Sequence, residues 1–298
     1  MKPAAERMKY IIAVILYGTV GMFLRHVQAP SELVAFFRGV IGALFIFLYQ
    51  RFRGQRPDRE AIRKALPMLI LSGVSLGLNW IFLFAAYMET TVAVASLLNY
   101  MAPVIVILIA PAVLRERLDK RKLLCVAAAF AGILLVSGVW NGSVGSPAGI
   151  FLGLMAAVCF VVIVICNRFL RDIRALDRAV VQLAVSALTI LPYALIRNRG
   201  GLPAPDVRSF LIVLVLGLIH TGLAYCLYFS GMGTLPVQTV AILGYLEPVV
   251  SVLCSAFFLK EAMGPAGWIG AVLIIGAAVV SETLPEKSAE NDEKERIP

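Results

Sequence analysis

The sequence predicts an all-α polytopic membrane protein: ten transmembrane helices, forming two inverted-topology five-helix repeats around a central cavity. Three observations support this prediction. Hydrophobic residues make up 60% of the 298-residue chain and charged residues only 15%, whereas a soluble domain is about half apolar and a quarter charged. The apolar residues fall into ten long runs. The two halves of the chain also align with each other at a shift of about 145 residues.

Each apolar run is long enough, or nearly so, to span a bilayer, which takes about 20 residues. Helices are expected, because lipid offers no partner for backbone polar groups and the runs lack the alternation of a β-barrel. The first run resembles a signal peptide, but Pro30 would directly follow the cleavage-like Val27-Gln28-Ala29, so we interpret it as a retained span. The runs lie near residues 9–25, 31–50, 65–87, 92–114, 122–140, 148–167, 178–196, 208–231, 236–259 and 265–283.

Basic residues between the runs predict the orientation. With the N-terminus in the cytoplasm, the Lys and Arg residues that flank the spans favour the cytoplasmic side by roughly four to one. Both termini are therefore expected on the cytoplasmic side of the plasma (inner) membrane, and the charged tail 285–298 is expected to be disordered. The net charge of +9 is attributed to contacts with lipid head groups, so no nucleic-acid partner is expected.

The repeat rests on aligned residues that chance apolar similarity does not explain. NYMAPVIVILIAPAVLRERL (99–118) aligns with GYLEPVVSVLCSAFFLKEAM (244–263), which places Tyr100 over Tyr245 and Pro103 over Pro248. Because each half has five spans, an odd number, the second half must lie upside down relative to the first. Inverted repeats of this kind are typical of secondary transporters, whose binding site lies near the midplane between the repeats.

These motifs resemble those of paired EamA domains in the drug/metabolite transporter superfamily, here at 9–140 and 147–283. The resemblance rests on P-x10-LR-E-R-L from Pro103 to Leu118 and on EP…LK-E-A-M from Glu247 to Met263. It implies ten helices around a central cavity and the movement of small metabolites, often by export. Because the family's substrates include amino acids, nucleosides, sugars and drugs, membership does not identify the cargo.

Two ionisable residues inside the spans are functional candidates, because a charge at the centre of a membrane helix costs about 3 kcal/mol on insertion. Arg38 in the second span and Glu247 in the ninth lie at similar depths, roughly 10 and 13 Å below the outer edge, at about 1.5 Å per residue. We hypothesise that they form an ion pair, or a pair that substrate or a proton breaks. The alternative is a permanent pair that only fixes helix packing.

The aligned prolines predict a helix break in each half. Pro103 and Pro248 remove a backbone N–H and displace the carbonyls of Asn99 and Gly244. Irregular backbone is tolerated in a membrane where it lines a cavity or contacts protein. The remaining candidates for substrate binding have aromatic or amide side chains in the spans, with helix packing as the alternative for each. They are Trp80, Tyr100, Tyr225, Tyr245, Asn79 and Asn99, with Tyr17 and His220 as further candidates.

The sequence thus predicts a secondary transporter that exports a small metabolite, an amino acid or a relative, with Glu247 binding substrate or proton. One alternative is a multidrug or organic-cation exporter. Another is an intramembrane serine enzyme using Ser75 and His220, since GVSLG at 73–77 fits both GxSxG and the helix-packing pattern GxxxG. We find no other catalytic motif, metal-binding motif or cofactor motif. The expected partners are a small-molecule substrate and the bilayer, with the protein as a monomer or homodimer.

Overall fold

The computed structural model describes residues 2–24, 26–90, 92–114, 120–137, 146–199, 201, 206–258 and 264–283. Every regular element in these ranges is helical, so the predicted all-α class is confirmed for this part of the chain. The predicted tail 285–298 and the charged ends of the two repeat motifs lie outside it. The helices are α1 (Lys2–Leu24), α2 (Ser31–Phe52), α3 (Arg59–Lys64), α4 (Leu66–Glu89), α5 (Val92–Asn99), α6 (Ala102–Leu114), α7 (Lys120–Ser137), α8 (Pro147–Phe169), α9 (Ala175–Arg197), α10 (Val207–Gly217), α11 (Ala224–Thr234), α12 (Val237–Gly244), α13 (Leu246–Phe258) and α14 (Pro265–Thr283), with a π-helical turn at Leu218–Leu223 between α10 and α11.

Six helical segments of the described chain are long and apolar enough to cross a membrane. Shorter apolar helices occupy Ala95–Val106, Leu123–Leu135 and Pro265–Ala277. Large apolar side chains such as Phe151, Leu188 and Phe210 are exposed on the outside of the bundle, as expected for helices that face lipid. The six long segments are Ala4–Leu24, Ser31–Phe52, Leu66–Glu89, Pro147–Phe169, Ala175–Arg197 and Val207–Met232.

Three helices begin at a side-chain cap. Asp58 precedes α3 and accepts a hydrogen bond from the backbone N–H of Ala61 at 3.0 Å. Ser146 and Asp206 precede α8 and α10, and each accepts from the backbone N–H three residues further on, at 3.0 and 2.8 Å. Such caps satisfy N–H groups that have no partner within the helix. They explain why these helices start directly after short polar breaks in the sequence.

Glycines bring α4 and α9 into close contact. A Cβ atom added to Gly73 would lie 2.6 Å from Cβ of Val185, and one added to Gly77 would lie 2.7 Å from Cβ of Thr189. Small residues allow membrane helices to approach this closely. The stretch around Ser75 therefore packs as an ordinary helix, whereas the GxSxG nucleophile pattern requires a strand-to-helix turn.

Helices α2 and α9 are tied together at both ends by acidic residues. At one end, the buried carboxylate of Asp177 accepts from Gln50 at 2.6 Å and from Nε of Arg174 at 2.9 Å. At the other end, Asn198 donates to the half-buried Glu32 at 3.1 Å. The two ties hold α2 and α9 side by side along their length.

Candidate functional site

Two of the predicted spans are broken in the middle. Helix α5 ends at Asn99 and α6 begins at Ala102, while α12 ends at Gly244 and α13 begins at Leu246. Each second helix therefore begins shortly before its proline, which lacks the N–H needed to continue the preceding hydrogen-bond ladder. The helices are thus interrupted at equivalent points of the two aligned segments.

The two breaks contact each other. The side chain of Tyr245 is fully buried, and its hydroxyl donates a hydrogen bond to the backbone carbonyl of Tyr100 at 3.2 Å. An unsatisfied backbone carbonyl is costly in a low-dielectric interior. The tyrosine of the second break therefore satisfies a backbone acceptor that the first break leaves open.

A cavity lies beside these breaks. It is narrow: about 50 Å³ has room for a water-sized sphere, within about 570 Å³ of space between the side chains that includes the open mouth. Its walls come from both halves of the chain and are mostly apolar or aromatic, as is usual for small-molecule sites. The lining residues are Tyr10, Val14, Asn99, Tyr100, Val106, Phe160, Val164, Tyr228, Val240, Ala241, Gly244 and Glu247.

Glu247 is the acidic residue among those that line this cavity. It lies in the first turn of α13 and is half-buried. Among the described residues, its carboxylate has no hydrogen-bond or ion-pair partner, although Arg38 is close enough to act on it electrostatically. An unpaired carboxylate at this depth is costly unless water, a proton or a cation reaches it.

The direct ion pair between Arg38 and Glu247 is not formed in the structure. The guanidinium carbon of Arg38 instead lies 4.1 Å from the centre of the Trp80 ring, which is cation–π geometry. Its buried Nε has no hydrogen-bond partner within the described chain. The two charges are therefore near each other but separate, because matching depth does not require matching faces of the two helices.

Aromatic rings connect Arg38 to the cavity. Trp80 meets Tyr225 edge-on at 6.4 Å between ring centres, and Tyr225 meets Tyr17 at 5.5 Å. Tyr17 in turn contacts Tyr228 at 5.3 Å, and Tyr228 stacks on Tyr10 at 4.8 Å. Edge-to-face and offset pairs of this kind are favourable. Tyr10 and Tyr228, which line the cavity, were not predicted from the sequence.

The two asparagines form one unit behind the cavity wall. The amide of the buried Asn79 donates to Oδ1 of Asn99 at 3.0 Å and to the carbonyl of Ala156 at 2.8 Å. Asn99 lines the cavity, whereas Asn79 positions it from α4. A hydrogen-bonded amide buried in this way is a common means of holding membrane helices together.

The eight predicted binding residues thus fall into three groups. Glu247, Asn99 and Tyr100 line the cavity together. A neighbouring cluster contains Arg38, Trp80 and Tyr225. Asn79 and Tyr245 lie behind the wall and support it.

His220 lies in the π-helical turn rather than in the cavity wall. Its Nε2 is 3.0 Å from the hydroxyl of Thr19, which itself donates to the carbonyl of Leu16 at 2.7 Å. The Phe23 ring packs against the imidazole edge-on at 4.8 Å. In the described part of the chain, no cluster of three His, Cys, Asp or Glu residues could hold a metal ion.

The chain matches the EamA-like transporter family twice, over residues 8–138 and 147–283. It is 25% identical to the uncharacterized transporter YxxF of Bacillus subtilis (strain 168), over 84% of this chain and 80% of that protein. It is 25% identical to protein PecM of Dickeya dadantii, over 73% of each chain. It is 24% identical to the pseudopaline exporter CntI of Pseudomonas aeruginosa PAO1, over 90% of this chain and 93% of that protein.

A solved crystal structure has the same fold, with a TM-score of 0.80 over 93% of this chain and 96% of that chain, at 23% sequence identity. YxxF, a relative from Archaeoglobus fulgidus and CntI are named as transporters or exporters. Two matches that together cover most of the chain establish the family. The protein is a member of the EamA-like transporter family of membrane proteins, as the repeat motifs predicted.

Proposed function

We propose that the protein is a secondary transporter that exports a small metabolite, an amino acid or a related compound, across the plasma membrane by alternating access. The observation that carries this proposal is the unpaired carboxylate of Glu247, which faces a cavity where two broken helices meet. Such a carboxylate is suited to bind the ammonium group of a substrate or a proton exchanged for it. The naming of CntI as an exporter supports the direction of transport.

The architecture proposed for this cycle has ten spans in two inverted repeats, 9–140 and 147–283. In it, α5 with α6 and α12 with α13 each form one broken span. The helix contacts support the pairing. Helix α1 packs against α11 and α13, and its counterpart α8 packs against α4 and α6, while α2 contacts α9 and α7 contacts α14. Two related halves around one site give the symmetry that alternating access uses.

The position of the cavity favours loading from the cytoplasm. Tyr10 lies in the N-terminal half of α1, Val240 near the start of α12 and Val164 near the end of α8. With both termini in the cytoplasm, as the basic residues predict, these three positions lie on the cytoplasmic side of the midplane. An exporter in this state would receive its substrate from inside the cell.

The tyrosine rings favour one alternative cargo, a lipophilic organic cation. Tyr10, Tyr100 and Tyr228 surround Glu247 in the cavity wall, and aromatic faces attract cations. An exporter of this kind would bind tetraphenylphosphonium more tightly than any amino acid. A binding screen that includes both ligand classes separates the two functions.

The test uses purified full-length protein, first in a thermal-shift screen of metabolites and then in proteoliposomes. A metabolite that stabilises the wild-type protein is expected to be transported by it, and Glu247→Gln is expected to lose both effects. Glu60→Gln makes the same chemical change at an exposed acid that pairs with Lys64 outside the long apolar helices, so it should behave as wild type. Wild-type transport by Glu247→Gln would contradict the proposal.

A further inference from the structure

Three buried polar atoms without partners point to a second subsite beyond the Glu247 cavity. They are Nε of Arg38 on α2, the hydroxyl oxygen of Tyr17 on α1 and Nδ1 of His220 in the π-helical turn. None of them has a hydrogen-bond partner of good geometry in the described chain, although the His220 ring is close enough to the Val215 carbonyl to interact with it. Buried polar groups in proteins are rarely left unsatisfied. Orphaned groups on three different elements indicate a missing partner rather than one misplaced side chain.

Arg38 is near the other two groups. Its positive charge acts electrostatically on Tyr17 and His220, and its side chain interacts with the Tyr225 hydroxyl both electrostatically and by a hydrogen bond. The guanidinium carbon lies 4.1 Å from the centre of the Trp80 ring, and Trp80 itself is buried. Arg38 also lies on a different side of α2 from the exposed Phe37 and Val40. The guanidinium therefore lies against a buried ring, with its Nε buried, and has no carboxylate within 4.0 Å of it in the described chain.

A planar guanidinium held in this way is suited to bind a carboxylate, because its N–H groups match the two oxygens of that anion. The Tyr17 hydroxyl adds a further donor. Glu247 lies within electrostatic reach of Arg38, and Tyr17 and Tyr225 are within reach of both charges. A small molecule that carries both a positive and a negative charge would provide an ion-pair partner for Glu247 and another for Arg38.

We propose that Arg38 binds the carboxylate of the transported molecule, so that the substrate is a small zwitterion whose ammonium group binds Glu247. This rests on the proposed function, and it narrows the substrate class. A lipophilic cation would satisfy Glu247 alone and would leave Arg38 as an uncompensated charge in the membrane interior. The ring contacts from Trp80 through Tyr225 and Tyr17 to Tyr228 connect Arg38 to the wall of the Glu247 cavity.

The experiment compares each of a set of L-amino acids with its amide, which keeps the ammonium group and loses the carboxylate. Binding is measured on full-length protein by thermal shift and by calorimetry. The wild type is expected to bind the best amino acid at least tenfold more tightly than its amide, since a charge-assisted hydrogen bond contributes roughly 1.5–3 kcal/mol. Arg38→Gln should bind both compounds with the weak affinity of the amide, and Arg38→Lys should retain part of the preference.

Two variants complete the design. Glu247→Gln should weaken binding of the amino acid and of the amide alike, because both keep the ammonium group. Arg51→Gln removes an exposed arginine from the same helix and should leave both affinities unchanged. The melting temperature of each variant without ligand identifies a loss of binding that reflects misfolding, and Arg38→Lys then serves in place of Arg38→Gln.

The zwitterion proposal is overturned if amides bind the wild type as tightly as amino acids do, or if Arg38→Gln weakens both compounds equally. It is also overturned if only tetraphenylphosphonium binds, while Glu247-dependent transport of that cation would leave a transporter function in place. If no compound binds or is transported and Glu247→Gln resembles the wild type, the proposed function fails as well. These outcomes separate a failure of the subsite from a failure of the function.

Discussion

Two helix breaks, one between α5 and α6 and one between α12 and α13, have related sequences but differ in the side chains that they carry. At the first break, Ala102 is fully buried and Asn99 is held by the amide of Asn79. At the second, Glu247 stands at the position aligned with Ala102 and faces the cavity, while Tyr245 is fully buried. The helix break is thus shared by both halves, whereas the charge belongs to one.

The two aligned segments share a helix break, but they differ in the side chains that support the break and in the charge that they carry. Ala224 aligns with Asn79 and is fully buried, so the second break lacks the amide support of the first. At the second break, the Tyr245 hydroxyl donates a hydrogen bond to the carbonyl of Tyr100. The Tyr100 side chain lines the cavity. A carboxylate is tolerable at position 247, which lines the cavity, because water or substrate can compensate the charge there, whereas Ala102 is buried and does not line the cavity.

Ala102→Glu gives the largest effect expected from this comparison. The new carboxylate would be buried without a partner, which costs roughly 3 kcal/mol or more. We expect a correspondingly large drop in the free energy of unfolding, measured by titrating SDS into detergent micelles. Glu247→Ala is the matched control and should unfold like the wild type. If Ala102→Glu is as stable as the wild type, the two positions are equivalent and the comparison fails.

Asn79→Leu has an intermediate expected effect. The substitution keeps the side-chain volume nearly constant but removes two hydrogen bonds, at 3.0 Å to Asn99 and 2.8 Å to Ala156. We expect a loss of about 2 kcal/mol in the same unfolding measurement, at about 1 kcal/mol for each bond. Ser75→Ala, in the same helix, removes a hydroxyl that makes no side-chain hydrogen bond in the described chain and should cost much less. Equal losses for the two variants would show that the amide does not support the first break.

The sequence was sufficient for the all-α class and the family, because composition and the aligned motifs are properties of long segments. It was insufficient to predict which side chains contact each other. The Arg38–Glu247 pair was predicted from depth alone, and depth leaves the rotation of each helix about its axis open. Arg38 accordingly lies on Trp80. Tyr228 was not predicted, because the residue aligned with it, Leu83, is not aromatic and the two do not form a symmetric aromatic pair.

Arg178 shows that the sequence also does not reveal whether a basic residue is solvated or buried. By sequence it belongs to the basic cluster that flanks a span, yet the structure buries it, with hydrogen bonds to the carbonyls of Asn167, Leu170 and Phe229. A charge count along the chain does not distinguish a solvated arginine from one that is buried against the backbone carbonyls of neighbouring helices. The Asp177 tie between α2 and α9 was missed for a related reason, since its donors are separated from it in sequence by as many as 127 residues.

Tyr245→Phe and Tyr100→Phe test the smallest expected difference between the two breaks. Each removes one hydroxyl, but only the Tyr245 hydroxyl makes a hydrogen bond in the described chain, to the carbonyl of Tyr100. Tyr245→Phe should lower the free energy of unfolding by about 1 kcal/mol, because the buried carbonyl then loses its donor. Tyr100→Phe should leave that free energy nearly unchanged and alter ligand affinity instead, since Tyr100 lines the cavity beside Glu247. The reverse result, with stability lost at Tyr100 and affinity at Tyr245, would mean that the tyrosine of the first break supports the fold and that of the second faces the substrate.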